Sequence, residues 1–418
     1  MQKIVSILGL GRFDKEEKKY YYEKVRYFWE ERPVVETALI QEVWNAWFPQ
    51  AQMLILATKE AKKERKDDLE RHPHWIVEDI PDGKNEAEFW QIYQKVVSKL
   101  DQGDELILDI THGFRSLPIL TLLAASFFRS AKGVTIKHVL YGANEAKTED
   151  KTPVFDLSPF LTMLDWASAA ERFLEIGDTS KFHQLTVRNN IPHSLKQGVE
   201  ELKNLSYAVA ANRTFLAGDH ASKASCIDQE VQEWDKEFGP IKLLLPKIKE
   251  VLSDLSIRQD MRLEELLQQL FGQINWYSNH GYYEKAIGLA REWFITFVQY
   301  KCVEYGEIKE PDILDMKDEV RSRWDGAIGR IGPNLMRDRE KLEQQVRSVF
   351  GERFEFTDEW KGLFGVWQEL KDVRNDLLHF GFRSKPKAPN EVKSAVSKCL
   401  IDLREEVKKM GLELPEVS

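Results

Sequence analysis

The chain has 418 residues, 42% of them hydrophobic and 31% charged, with 12 Trp and 22 Phe. That length supports two to three domains at roughly 150 residues each, and the composition excludes a disordered or fibrous chain. Sixty basic residues against sixty-nine acidic ones leave a formal net charge of -9, which argues against a generally basic nucleic-acid coat and an anionic-membrane binder but leaves room for a local basic site. Cys226, Cys302 and Cys399 are odd in number and far apart, so neither a disulfide framework nor a cysteine zinc site is supported, and a reducing, cytoplasmic setting fits best.

Met1 to Lys3 runs directly into the strand-length segment Ile4 to Gly9, with no signal-peptide core behind it. The longest apolar stretch, Leu117 to Phe128, has about a dozen residues where a bilayer span needs about 20, and reads as a buried helix. Further strands are expected at Met53–Ala57, Trp75–Ile80, Leu106–Asp109 and Thr135–Tyr141. Helical patterns lie between them at Val34–Trp47, Glu86–Leu100 and Leu117–Ser130. Runs such as Leu54-Ile55-Leu56 and Leu106-Ile107-Leu108 are apolar throughout, as parallel strands covered on both faces require. Residues 1–160 therefore read as an α/β Rossmann-like domain, with ligands expected beyond the carboxyl ends of its strands.

After about residue 160 the pattern is helical. Residues 161–273 form a polar helical linker or middle region, with breaks expected at Pro192, Gly218, Gly239-Pro240 and Gly272. Residues 274–418 form an all-α domain. In it Ala286, Leu289, Ala290, Trp293, Phe294 and Phe297 share one helix face, as do Val392, Ala395, Val396, Cys399, Leu400 and Leu403.

Chemistry-bearing residues fall at three places. Gly9-Leu10-Gly11-Arg12 follows the first strand; its glycines allow close backbone approach and offer N–H groups to an anion. A dinucleotide fingerprint would place a third glycine where Asp14 stands, and a plain strand-to-loop turn has the same residues. Asp109-Ile110-Thr111-His112-Gly113-Phe114-Arg115 ends a strand where a helix begins, adding a hydroxyl, an imidazole and a guanidinium to free N–H groups. Thr58 would line the same edge. A capped turn with His112 bonded to nearby backbone is the bland alternative.

The third place is Arg374-Asn375-Asp376-Leu377-Leu378-His379. Asn375 and His379 lie about 40° apart on a helix and Arg374 and His379 about 140° apart, so the three share one broad flank. An imidazole can exchange a proton with a ribose 2′-hydroxyl, and a guanidinium can hold charge on a phosphorane-like transition state. A helix-end His with Arg374 in an ion pair to Asp372 or Asp376 fits the spacing too. Arg188 and His193 repeat the spacing across Pro192, which should put that copy in a turn. Metal-ligand, P-loop and serine-nucleophile patterns are not found.

Taken together, the strand-Gly-x-Gly opening, Thr58, Asp109 to Gly113, His138 to Gly142 and the terminal Arg374-Asn375 to His379 resemble the CRISPR-associated CARF-HEPN ribonucleases of type III systems that carry a D-x-T-H-G motif. The resemblance implies a CARF-like sensor at 1–160 and a HEPN-like nuclease at 274–418. It implies that cyclic oligoadenylate binds as an allosteric activator across a homodimer or higher homo-oligomer, using Gly9, Leu10, Gly11, Arg12, Thr58, Thr111, His112, Gly113, Phe114 and Arg115. Arg374, Asn375 and His379 of two subunits would then cleave single-stranded RNA in antiviral defence, with no metal, no cofactor and no membrane partner. Glu292 would correspond to a supporting acidic residue. Two other readings stay open: a sensor without nuclease activity that signals to a partner, and a sensor that degrades its own ligand.

Overall fold

The computed structural model describes residues 1–112, 123, 126, 127, 129, 131–186, 191–229, 232, 238–258, 260–308, 318–331, 339–379, 382 and 384–417. Gly113, Phe114, Arg115 and Arg188 lie outside the described residues, as does most of the expected Leu117–Ser130 helix.

Two units divide the chain, Met1–Leu164 and Asp165–Ser418. In the first, the strands are β1 (Gln2–Leu8), β2 (Arg12–Asp14), β3 (Lys19–Tyr21), β4 (Val25–Phe28), β5 (Val35–Thr37), β6 (Gln52–Thr58), β7 (Ile76–Ile80), β8 (Glu105–Asp109), β9 (Thr135–Gly142) and β10 (Lys151–Asp156). Eight of them form one sheet in the order β5-β4-β10-β9-β8-β1-β6-β7, and β2 and β3 form a separate hairpin. The β7-β6-β1-β8-β9 core is parallel throughout.

Because successive residues of a strand face opposite sides, the continuous apolar runs feed two cores at once. Ile4, Ile55 and Ile107 pack on one face with Val43 and Trp44. Val5, Leu54, Leu56, Leu106 and Leu108 pack on the other with Ile92 and Val96. The five strands expected from the sequence are present with ends shifted by up to two residues.

The Val34–Trp47 expectation needs correction. Val35–Thr37 is a strand paired with β4, and the helix starts only at Ile40. Thr37 Oγ1 accepts from the Leu39 amide at 3.0 Å, so the hydroxyl turns the chain between strand and helix. The short strands β2 to β5 and β10 carry charged residues and lack clear alternation, which hid them from the sequence reading.

The second unit is helical, and the middle and terminal helical regions share one core. Trp166, Leu202, Leu252 and Phe271 belong to the same buried cluster as Trp293, Phe364 and Leu400. Ala286, Ala290, Trp293, Phe294 and Phe297 are all buried, and Leu289 packs at the margin. The expected helix breaks at Gly218 and Gly272 are not breaks, because both glycines lie inside helices, Thr214–Ala224 and Leu263–Asn279. At Gly218 a Cβ would stand 2.5 Å from Ile257 Cβ, so the glycine serves close packing. Pro192 caps the helix His193–Ala210, and Gly239-Pro240 open a short 3-10 helix. Among the described residues no helix is long and apolar enough to cross a membrane.

A buried ion pair ties the first strand of the sheet to the turn before β8. Lys3 Nζ lies 2.7 Å from Asp104 and 2.9 Å from Asp101, and the Asp104 side chain is 4% exposed. Burial alone would raise the Asp104 pKa, but Lys3 and the Asp101 amide outweigh it and hold it at about 2. A carboxylate depressed in the fold contributes stability above its unfolded value and loses it as pH falls through its folded value. Lys3, the Asp101 amide and the Met1 ammonium, 3.0 Å from Asp104, together should therefore supply about 2 kcal/mol that disappears between about pH 4 and pH 2. Thermal melts across that range should show wild type losing this increment and Asp104→Asn, already destabilised at pH 6, losing much less.

Candidate functional site

The carboxyl ends of β1, β6, β8 and β9 open onto a cleft of about 610 Å³. Its walls bring together Gly9, Leu10, Gly11, Arg12, Thr58, Thr111 and His112, all singled out from the sequence. They come together because parallel strands end on one edge, so loops distant in sequence become neighbours.

Much of the polar equipment is already engaged. Asp109 is 1% exposed. It accepts from Ser6 Oγ at 2.5 Å and from the Thr111 amide at 2.9 Å. Ser6 Oγ in turn accepts from Gln41 Nε2 at 2.9 Å. Thr111 Oγ1 accepts from the Gly142 amide at 2.9 Å, tying the β8 loop to the end of β9. Thr58 Oγ1 accepts from the Ala61 amide at 3.2 Å and caps the helix Lys59–Glu64. Thr58 and Thr111 thus shape the cleft as well as line it.

The Gly9–Arg12 loop opens into the β2–β3 hairpin rather than a helix. An anion there would meet loop N–H groups without a helix dipole. Arg12 is exposed and paired with Glu23 at 2.8 Å. The other described cation on the wall, Lys84, is paired with Asp82 at 2.6 Å. Glu60 and Glu145 add two more carboxylates. Burial holds the His112 imidazole below its ordinary pKa; Asp109 opposes this and Arg65 adds to it. His112 is therefore a neutral donor-acceptor at pH 7.

The sequence reading passed over Tyr22 and Arg65. The Tyr22 ring lies 5.2 Å from that of His112, and the Arg65 guanidinium carbon lies 4.3 Å from the Tyr22 centroid. Tyr22 ends a Tyr20-Tyr21-Tyr22 run and Arg65 sits in a run of charges, neither of which announces a site.

In the helical unit, Arg374 and Asn375 lie on the helix Asp358–Leu378, and His379 caps its end. The backbone stays helical to that point, with the His379 amide donating to the Asn375 carbonyl at 3.3 Å. None of the three side chains bonds another described residue, and no ion pair joins Arg374 to Asp372 or Asp376 among the described residues. His379 is exposed, and Arg374 and Asn375 are half-buried. Glu292, by contrast, is tied to Arg291 and to Arg321 at 2.7 Å each. His193 starts a helix. No cluster among the described residues is suited to hold a metal ion.

Gly11 has φ +90, and a Cβ there would stand 2.4 Å from the Tyr21 carbonyl oxygen. Gly11→Ala should destabilise the β2–β3 hairpin by about 1–3 kcal/mol, measured as faster amide exchange of Arg12 to Tyr21 with the sheet core unchanged.

Residues 50–145 match the family described as CRISPR system endoribonuclease Csx1, CARF domain. The match takes in Thr58, Thr111 and His112 and begins after the Gly9–Arg12 loop. The chain is also 29% identical over 134 residues to a CRISPR-associated protein, MJ1674, of Methanocaldococcus jannaschii. That alignment covers 31% of this chain and 20% of the relative, so the chain matches about a fifth of that protein's length. The cleft-bearing unit is thus similar to the CARF domain of a CRISPR endoribonuclease.

Proposed function

We propose that the protein is a metal-independent endoribonuclease of type III CRISPR defence, activated by cyclic oligoadenylate bound in the α/β cleft. The observation that carries this reading is the trio Arg374, Asn375 and His379. In a chain whose cleft-bearing unit matches a CARF domain, these three polar groups stand at one helix end without bonds to described neighbours.

The chemistry follows from the groups. The His379 imidazole takes the proton of a ribose 2′-hydroxyl, whose oxygen attacks the adjacent phosphorus. Arg374 holds the added negative charge, and Asn375 orients a phosphate or sugar oxygen. The 5′-oxygen leaves with a proton from a second imidazole, giving a 2′,3′-cyclic phosphate and a 5′-hydroxyl. One chain holds one such imidazole, so the reading calls for a two-fold homodimer that pairs identical helix ends. Because acid and base are both imidazole, no divalent cation is required. The net charge of -9 suits this economy: a few local cations suffice, and the enzyme does not coat RNA.

Neutral His112 and the loop N–H groups would receive the ring phosphates, with Gly113, Phe114 and Arg115 completing the site. Activation follows if the ligand binds the active arrangement more tightly than the resting one.

His379→Ala and Arg374→Ala should each lower cleavage of labelled single-stranded RNA by about 10²-fold or more, while leaving cyclic-oligoadenylate binding intact. Undiminished cleavage in both variants would remove the nuclease assignment. With wild type, cleavage in EDTA should proceed at the full rate and rise on adding one particular ring size. Equal rates with and without every ring size would instead remove the sensor assignment.

A further inference from the structure

Arg65 is buried where its neighbours are not. In the run Ala61 to Glu70, only Ala61 and Arg65 are buried, one helical turn apart, while Lys62, Lys63 and Lys66 are exposed. Arg65 falls between the helices Lys59–Glu64 and Lys66–Glu70 and is 8% exposed. Its guanidinium is poorly provided for. Nη2 donates to the Leu10 carbonyl, Nη1 is 3.7 Å from Asp68, and Nε is buried without a hydrogen-bond partner. Asp68 is shared with Arg71. A buried cation with so little compensation costs stability, so stability does not account for it.

Its placement accounts for it. Arg65 stands behind the cleft wall, and what it touches is the wall itself: the Leu10 carbonyl and the Tyr22 ring. In a trans peptide the C=O and the following N–H point in opposite directions, so drawing the Leu10 carbonyl toward Arg65 turns the Gly11 N–H away from it. Gly11 must be glycine partly for this reason, since a Cβ there would lie 2.7 Å from Arg65 Nη2. The Tyr22 ring then carries the arrangement to His112. Meanwhile the described cations on the wall are each paired with a carboxylate, and Arg65 adds a buried positive charge just behind it.

We infer that Arg65 is a positioning residue for a phosphodiester ligand: it clamps the Leu10 carbonyl to aim the Gly9–Arg12 loop, braces Tyr22 against His112, and sets a buried positive charge behind the wall without touching the ligand. The inference rests on the reading of the cleft as a cyclic-oligoadenylate site. The groups bearing on His112 are Asp109, Arg65 and Tyr22.

Two measurements on full-length Arg65→Met and Arg65→Lys separate this role from a structural one. The first needs no ligand: titration of the His112 imidazole by NMR. Loss of the cation in Arg65→Met should raise the midpoint above that of wild type, and Arg65→Lys should restore most of the difference. The second is equilibrium binding of cyclic oligoadenylates of each ring size. Arg65→Met should bind about tenfold or more weakly, with Arg65→Lys in between. If Arg65→Met does not fold, Arg65→Lys decides: wild-type affinity together with a loop unchanged in amide exchange would overturn the clamp. Wild-type affinity in a folded Arg65→Met overturns the inference outright. If wild type binds no cyclic oligoadenylate yet the His112 midpoint shifts, the ligand reading fails and the positioning of His112 by Arg65 stands.

Discussion

Asp109 carries a carboxyl group that is 1% exposed and placed where the central strands of the sheet end. Burying a carboxylate there is tolerable only because Ser6, through Gln41, and the Thr111 amide are arranged around it. Those contacts bind β1, the helix Ile40–Trp47 and the β8 loop into one assembly, and Thr111 extends it to β9. The loops lining the cleft depend on this network for their relative positions. An aspartate at the start of a D-x-T-H-G stretch is thus part of the frame, and the ligand would meet the groups that the frame holds up.

The two sites follow opposite designs. In the α/β cleft, the Thr58 and Thr111 hydroxyls and the Arg12 and Lys84 cations are already committed to a cap, an inter-loop bond and ion pairs, which leaves, among the described residues, backbone N–H groups, a neutral imidazole and a buried guanidinium behind the wall. Such a surface is preorganised, and an anion in it would be met mainly by dipoles. At the end of the helix Asp358–Leu378, the side chains of Arg374, Asn375 and His379 make no bonds to other described residues, with His379 exposed and Arg374 and Asn375 half-buried. The same helix buries Trp360, Phe364 and Trp367 in the core along its length.

The sequence by itself determined a good deal. Continuous apolar runs such as Leu54-Ile55-Leu56, alternating with helical patterns, fit parallel strands with both faces covered, so the open sheet and the edge on which its loops gather were legible in advance. The faces of the helices around Trp293 and Leu400 were legible for the same reason, since a 3.6-residue period leaves one stripe to bury. Gly9, Gly11, Thr58, Thr111 and His112 were found because strand ends mark cleft walls wherever the strands are parallel.

What only the tertiary structure decided depends on contacts between distant segments. Short strands such as Val35–Thr37 exist because β4 is beside them, not because three residues specify a strand. Gly218 reads as a helix breaker until Ile257 packs against it and makes the missing Cβ necessary. Arg65 is one charge among many in its run, and nothing in the run says that its side chain turns inward to meet Leu10 and Tyr22. Burial, pairing and proton affinity belong to the folded environment rather than to the residue type, so the sequence named the groups and the fold decided which of them remain free to act.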